Sequence, residues 1–264
     1  MAYYTTKQIN SWLYSIYDPL GVYCYLATGN DSALLFDTAH GIGSLPDLIR
    51  EITDKPLTVV VSHGHIDHSS GAYQFDEAWM NEGDFDLTRM HTSEEFRERF
   101  VVDVLAEKKL ALPDGFIKES FIKAGTGNLK NLNIGRVFDL GGLQLEVVAM
   151  EGHTHGSVGL LSREQRILLD SDAANSHIWM FLDESLPVSS YIAMLERTMK
   201  LDFDTFFVGH SDSPLPKTDF EKYIAVARNA SMEKAKPYAI FPELKGFLYQ
   251  EDRIGIVFSE AKLM

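Results

Sequence analysis

Between residues 63 and 68 the chain reads His63-Gly64-His65-Ile66-Asp67-His68, which puts three imidazoles and a carboxylate into one short segment. Ionisable side chains packed this densely repel one another or solvate poorly unless a positive charge organises them. Imidazole nitrogen and carboxylate oxygen are the donors that borderline-soft divalent metals take, in four- or five-coordinate sites. His63 and His65, two residues apart, can converge on one ion. Asp67 and His68, one step further round the turn, can face a second. The competing reading is a polar surface loop that binds nothing.

The segment follows directly on Leu57-Thr58-Val59-Val60-Val61, a continuous apolar run of the interior-strand kind, so it sits in a loop at that strand's end. Upstream, Trp12 to Tyr17 and Val22 to Leu26 are rich in β-formers and are separated by the turn Asp18-Pro19-Leu20-Gly21. Ala33 to Phe36 reads as a buried strand ending at Asp37, and Ile42 to Asp54 spaces Leu45, Leu48, Ile49 and Ile52 as a helix does. A second helical pattern runs from Ser93 to about Lys109, with Phe96, Phe100, Val101, Val104 and Leu105 as its stripe and Thr92 or Ser93 as N-cap. Residues 116–135 mix Gly, Asn and Lys with apolar positions and read as loop-rich, so 93–135 is a candidate lid, pocket wall, dimer contact or plain core.

Strand character returns at 136–140 and 143–150, then at 158–161 and 166–169 as a pair. Helices are expected over 188–201 and 217–234, a strand over 205–208, and a last hairpin from 246–250 and 253–258. A β-rich half with a helix, then helical material, then a second β-rich half fits an α+β sandwich better than a regular βαβ alternation.

The formal charge of −14 argues against a nucleic-acid partner, which draws its affinity from Lys and Arg. Composition (45% hydrophobic, 23% charged) is that of a globular domain, and no repeat or linker divides the chain, so one domain over 1–264 is expected. The one cysteine, Cys24, lies in an apolar run and reads as a small buried side chain, in keeping with a reducing compartment. No stretch approaches the ~18 apolar residues of a membrane span. The basic start and apolar core of a signal peptide are not seen either. A soluble, cytoplasmic protein with no membrane partner is the expectation.

The cluster matches a His-x-His-x-Asp-His signature, and the chain resembles the metallo-β-lactamase superfamily of hydrolases. Four further motifs carry the resemblance in family order: Asp37 in Leu34-Leu35-Phe36-Asp37-Thr38, His153 in Gly152-His153-Thr154-His155-Gly156-Ser157, Asp172 in Leu168-Leu169-Asp170-Ser171-Asp172, and His210 in Val208-Gly209-His210-Ser211. The resemblance implies a four-layer αββα sandwich of two mostly antiparallel sheets with helices outside. It implies two divalent metal ions per chain, zinc first, with manganese or iron as alternatives. His63, His65 and His153 would hold one ion, Asp67, His68 and His210 the other, and Asp172 would bridge; Asp37 would order the site without binding metal. The implied chemistry is hydrolysis by a metal-bridging hydroxide, since such ions lower the pKa of water from about 15.7 towards neutrality. Asp67 would orient the attacking group or carry a proton to the leaving group.

The sequence departs from the family pattern at two places. His155 stands where Pro is common, and Ser171 stands where Gly is usual, with Asp170 as a near rival to Asp172. His155, His177 and Trp179 are candidates to face substrate, and His91 reads as a capping or solvent-facing residue. Aspartate rather than cysteine at 172 points to the glyoxalase II and lactonase-like branches. A small-molecule ester, thioester, lactone or phosphodiester is then the expected substrate, and a homodimer stays open. Two other readings stand beside this one: a single-iron oxygen-using enzyme resembling persulfide dioxygenases, and a non-catalytic metal-binding module.

Overall fold

The run Ala33–Phe36 is buried along its whole length, as an interior strand must be. In the computed structural model, which describes residues 3–101, 111–241 and 244–263, it lies near the middle of a seven-stranded sheet. The chain groups into two compact units, Met1–Gln144 and Leu145–Met264.

The sheet of the first unit takes its strands in sequence order: Thr5–Gln8, Leu13–Asp18, Val22–Thr28, Ala33–Phe36, Leu57–Val60, Ala78–Met80 and Leu129–Asn131. The first four are joined antiparallel, and from Ala33–Phe36 onward the pairs are parallel. Parallel pairing needs a crossover, and the helix Leu45–Ile52 supplies the first. Ser44 starts this helix by accepting the Asp47 N–H on its Oγ, and Leu45 and Ile49 turn into a core with Ile16, Cys24 and Val59. Register pairs Phe36 with Val60, so Asp37 and the segment after Val61 leave the sheet at the same edge.

Ser93 is the N-cap of the helix Glu94–Phe100, its Oγ accepting the Phe96 N–H at 3.2 Å. Val104 and Leu105 of the expected stripe lie outside the described residues. Residues 116–135 contain a short helix, Lys118–Ile122, and the strand Leu129–Asn131, which pairs with Ala78–Met80. Elements this short are set by their partners rather than by their own periodicity.

Arg97 fastens this region. It is fully buried, with Nη1 donating to the Phe121 carbonyl at 2.6 Å and Nη2 to the carbonyls of Ser70 and Gly125, both at 2.9 Å. Its guanidinium also lies over the rings of Tyr73 and Phe121, 5.0 and 4.7 Å from their centroids. Burial lowers its pKa to about 10, which leaves it charged at neutral pH. Arg97→Leu strands two buried carbonyls and a half-buried third and is expected to cost about 2–4 kcal/mol, a Tm drop of roughly 5–15 °C by thermal unfolding. A melt that matches the wild type contradicts this clamp.

In the second unit the strands run Ser211–Pro216, Thr205–Val208, Ile167–Ser171, Val158–Ser162 and Gln144–Ala149 across one sheet. The expected pair Val158–Ser162 and Ile167–Ser171 is antiparallel, whereas Ile167–Ser171 and Thr205–Val208 are parallel, with Ser171 opposite Val208. A third sheet orders His177–Met180, Ile254–Phe258, Leu244–Glu251 and Lys236–Phe241, and its Leu244–Glu251 and Ile254–Phe258 form the expected last hairpin. Helices Val188–Thr198 and Asp219–Asn229 share a core with both sheets through Met194, Leu195, Phe206, Phe220 and Phe258. The chain is thus α+β, with mixed sheets. Among the described residues no helix is long and apolar enough to cross a membrane.

Candidate metal centre

Because Ala33–Phe36 and Leu57–Val60 are parallel, the loops at their carboxyl ends meet, and Asp37 is the hub where they do. Its Oδ1 accepts the Ser62 N–H at 2.7 Å; its Oδ2 accepts the Ser62 hydroxyl at 3.0 Å and faces His68 Nδ1 at 2.9 Å. Asp37 holds a φ of 69°, a left-handed conformation that Asp tolerates better than most residues. Ser62 Oγ in turn lies 2.9 Å from His63 Nδ1. One buried carboxylate therefore governs the outer nitrogens of two rings.

The inner nitrogens converge. His63 Nε2 and His65 Nδ1 are 3.1 Å apart, and His68 Nε2 lies 3.4 Å from Asp67 Oδ2. His63, His65 and His68 are buried, while the Asp67 side chain is 24% exposed. Two nitrogens bound to one tetrahedral ion at 2.0–2.1 Å stand about 3.3 Å apart, close to the observed approach.

The helix Phe85–His91 packs on this loop from outside. Asp84, just before it, accepts the Gly64 N–H on Oδ2 at 2.9 Å, and His91 at its end accepts the Ile66 N–H on Nδ1 at 3.1 Å. Leu87 fills the space beside Gly64, where an added Cβ would stand 2.8 Å from Leu87 Cγ. The His91 ring stacks on His65, with centroids 5.1 Å apart and planes 23° apart. His91 does meet a backbone N–H, as a capping residue would, but that N–H belongs to the loop of candidate ligands, at Ile66.

In the second unit His153 follows the strand Gln144–Ala149, and its Nδ1 donates to the Trp179 carbonyl at 2.8 Å. Ser185 braces the same corner, its Oγ donating to the His153 carbonyl at 2.9 Å. That leaves Nε2 as the basic nitrogen of His153, 3.9 Å from Asp172 Oδ2. The parallel pairing of Ile167–Ser171 with Thr205–Val208 brings Asp172 and His210 out at one edge, with His210 Nε2 3.2 Å from Asp172 Oδ2.

Asp170 points elsewhere. It is buried, burial first and the Asp172 charge second push its carboxyl well above the usual range, and its own charge adds to the raised pKa of Tyr191 and Tyr223 in the core. The strand shifts register between Leu169 and Ser171, and Ser171 takes a φ of 55°. A left-handed residue there explains why Gly is the residue the resemblance expects at 171.

Of the residues expected to face substrate, His155 is exposed. His177 lies on the strand His177–Met180 with its ring edge-on to Tyr238. The Trp179 ring packs on Phe181, but it is Trp179's carbonyl that touches a ligand candidate. From the 93–135 segment, Phe116, Ile117 and Phe121 line a cavity of about 550 Å³ with Tyr3, Tyr4 and Tyr73. None of the ligand candidates lines it.

The donors present fit divalent metal ions on chemical grounds. Within each unit imidazole nitrogens and a carboxylate oxygen face one another at ligand–ligand spacing, and the outer nitrogens of His63, His68 and His153 are each held by Ser62, Asp37 or a carbonyl. Fixing the far side of a histidine in this way selects its tautomer and raises its strength as a ligand.

Fold and donor set together place candidate metal donors at the carboxyl ends of parallel strands in each unit. Residues 17–210 match the model of the metallo-beta-lactamase superfamily, and the chain belongs to that superfamily of metal-dependent hydrolases. It is 28% identical over 188 residues to acyl-coenzyme A thioesterase MBLAC2 of Gallus gallus, a match covering 67% of this chain and 66% of that protein. The human protein of the same name is 27% identical over 194 residues, covering 67% of each. The chain thus spans about two thirds of the length of these relatives. Among solved structures, a metallo-beta-lactamase from Pontibacter korlensis shares the fold with a TM-score of 0.60 at 17% identity, over 86% of this chain and all of that one.

Proposed function

We propose that the chain is a dinuclear metal-dependent hydrolase of small-molecule thioesters, with His63, His65, Asp67, His68, His153, Asp172 and His210 as its metal ligands. The observation that carries the reading is the preset state of the rings: the outer nitrogens of His63, His68 and His153 are occupied, so each offers a lone pair at Nε2. The thioester bond is favoured over other esters by the name that the chicken and human relatives carry. Zinc suits a set of imidazoles and carboxylates, and manganese or iron is the next choice.

Two divalent ions bound there supply Lewis acidity for the scissile carbonyl and a water acidic enough to lose its proton near neutral pH. The protein's own groups do the rest. Asp37, through Ser62 and His68, holds the donors in place without approaching the substrate. Asp67 is open enough to solvent to accept the proton that leaves the attacking water. As that oxygen bonds to the acyl carbon and the C–S bond breaks, a carboxylic acid and a thiol are released. A small, partly apolar acyl donor suits this chemistry better than a polyanionic polymer, given the charge of −14.

The test is to strip the protein, reload it with zinc, manganese or iron, and assay acyl thioesters beside lactones, aryl esters and phosphodiesters. Metal-dependent cleavage of thioesters is expected, with His63→Ala slower by on the order of 10³-fold or more. Equal turnover by His63→Ala, or cleavage of other bonds only, rejects the proposal. Activity with iron alone, with oxygen consumed on a thiol substrate, supports the single-iron reading instead.

A further inference from the structure

We infer that the segment Asp84–His91 is a brace for the metal-ligand loop and that His91 is its positioning residue. The inference rests on reading His63 to His68 as ligands and deepens that reading. The brace grips two backbone amides, those of Gly64 and Ile66, through Asp84 Oδ2 and His91 Nδ1. Gly64 and Ile66 flank His65, so the backbone amides of the residues before and after that proposed ligand are both held by this one short segment. Between the two grips Leu87 rests against Gly64 Cα and leaves no room for a side chain there.

His91 does two things at once. Its Nδ1 accepts the Ile66 N–H, which requires a lone pair there and places the neutral ring's proton on Nε2. Its ring is sandwiched, with Phe96 at 4.3 Å on one side and His65 at 5.1 Å on the other, both within about 25° of parallel. Phe96 lies in the helix capped by Ser93, so the stack ties the ligand loop to the following helix as well. Ile66 also begins the helical turn Ile66–Ser69 that carries Asp67 and His68. Holding its N–H therefore orients the donors on both sides of the loop's midpoint. Loss of the acceptor at Nδ1 frees this amide without removing any of the seven proposed ligands.

Two substitutions separate the acceptor from the stack. His91→Phe keeps an aromatic ring between His65 and Phe96 and removes the acceptor. His91→Asn puts an amide oxygen near the place of Nδ1 and removes the ring. Full-length wild type and both variants are stripped of metal and titrated with zinc against a chromophoric chelator, and each apo protein is melted as a control.

His91→Phe is expected to bind zinc about 10-fold or more weakly and to lose it faster to chelator, in the range typical of groups that support a ligand. His91→Asn is expected to recover most of that affinity, and the His91→Phe apo protein is expected to melt lower by no more than the few degrees that one lost, half-buried hydrogen bond costs. Wild-type affinity in His91→Phe, or a loss in His91→Asn as large as in His91→Phe, overturns the inference. Wild type that takes up no zinc overturns the ligand reading beneath it, an outcome distinct from either variant result.

Discussion

Asp37→Asn is expected to leave the fold intact and cost the proposed dinuclear site one of its two metal ions. The carboxylate accepts from three donors: the Ser62 N–H, the Ser62 hydroxyl and His68 Nδ1–H. Asparagine has one acceptor oxygen, so its NH2 must face either the Ser62 amide, a donor against a donor, or His68 and the Ser62 hydroxyl. In the second and better arrangement the new N–H points at His68 Nδ1. The ring's proton is then driven to Nε2, the nitrogen that lies 3.4 Å from Asp67. A protonated Nε2 cannot ligate. Asparagine tolerates a φ of 69° where alanine does not, so backbone strain does not confuse the result.

Metal content is expected to fall from two equivalents towards one, with affinity at the weakened position down about 10–100-fold. Loss of one hydrogen bond in a buried network costs a further 1–3 kcal/mol or so of stability. Elemental analysis and chelator competition measure the first, denaturant unfolding the second. Two equivalents held with wild-type affinity by Asp37→Asn contradict the hub.

The ligand candidates were legible in the sequence because each sits in a contiguous motif just after a strand whose apolar run marks it. Asp37 and the His63 loop follow Ala33–Phe36 and Leu57–Val60, and Asp172 and His210 follow Ile167–Ser171 and Thr205–Val208. The helix Leu45–Ile52 and the hairpin near the end were legible for the same reason, their periodicity being strong. The groups that support the ligands were not. Asp84 reaches Gly64 across 20 residues and His91 reaches Ile66 across 25, by way of a helix of only seven residues. The support for His153 is the Trp179 carbonyl, which every residue type has and no motif encodes. Likewise the strands Ala78–Met80 and Leu129–Asn131 are three residues each and exist through parallel pairing, which leaves no alternation to read.

The rivalry between Asp170 and Asp172 is where sequence and structure part most clearly, and it yields the second strong prediction. In a regular strand residues i and i+2 share a face, so the two carboxylates would be equivalent choices. The register shift after Leu169 and the left-handed Ser171 break that rule. Asp170 is left buried, near enough for its charge to act on the Tyr191 and Tyr223 hydroxyls, while Asp172 turns its Oδ2 to His210 and His153. Asp172→Asn removes a charged donor that faces two imidazoles and offers an amide that ligates poorly. Thioester turnover is expected to fall by on the order of 10³-fold or more, together with metal content. Asp170→Asn replaces a buried carboxyl with a neutral group of the same shape, and both metal equivalents are expected to remain. Running the two variants side by side in elemental analysis and the thioester assay makes each the control for the other: the same loss in both would mean that the kink at Ser171 does not sort the carboxylates. If the loss appears in Asp172→Asn alone, then one left-handed residue decides which aspartate of the pair meets the metal.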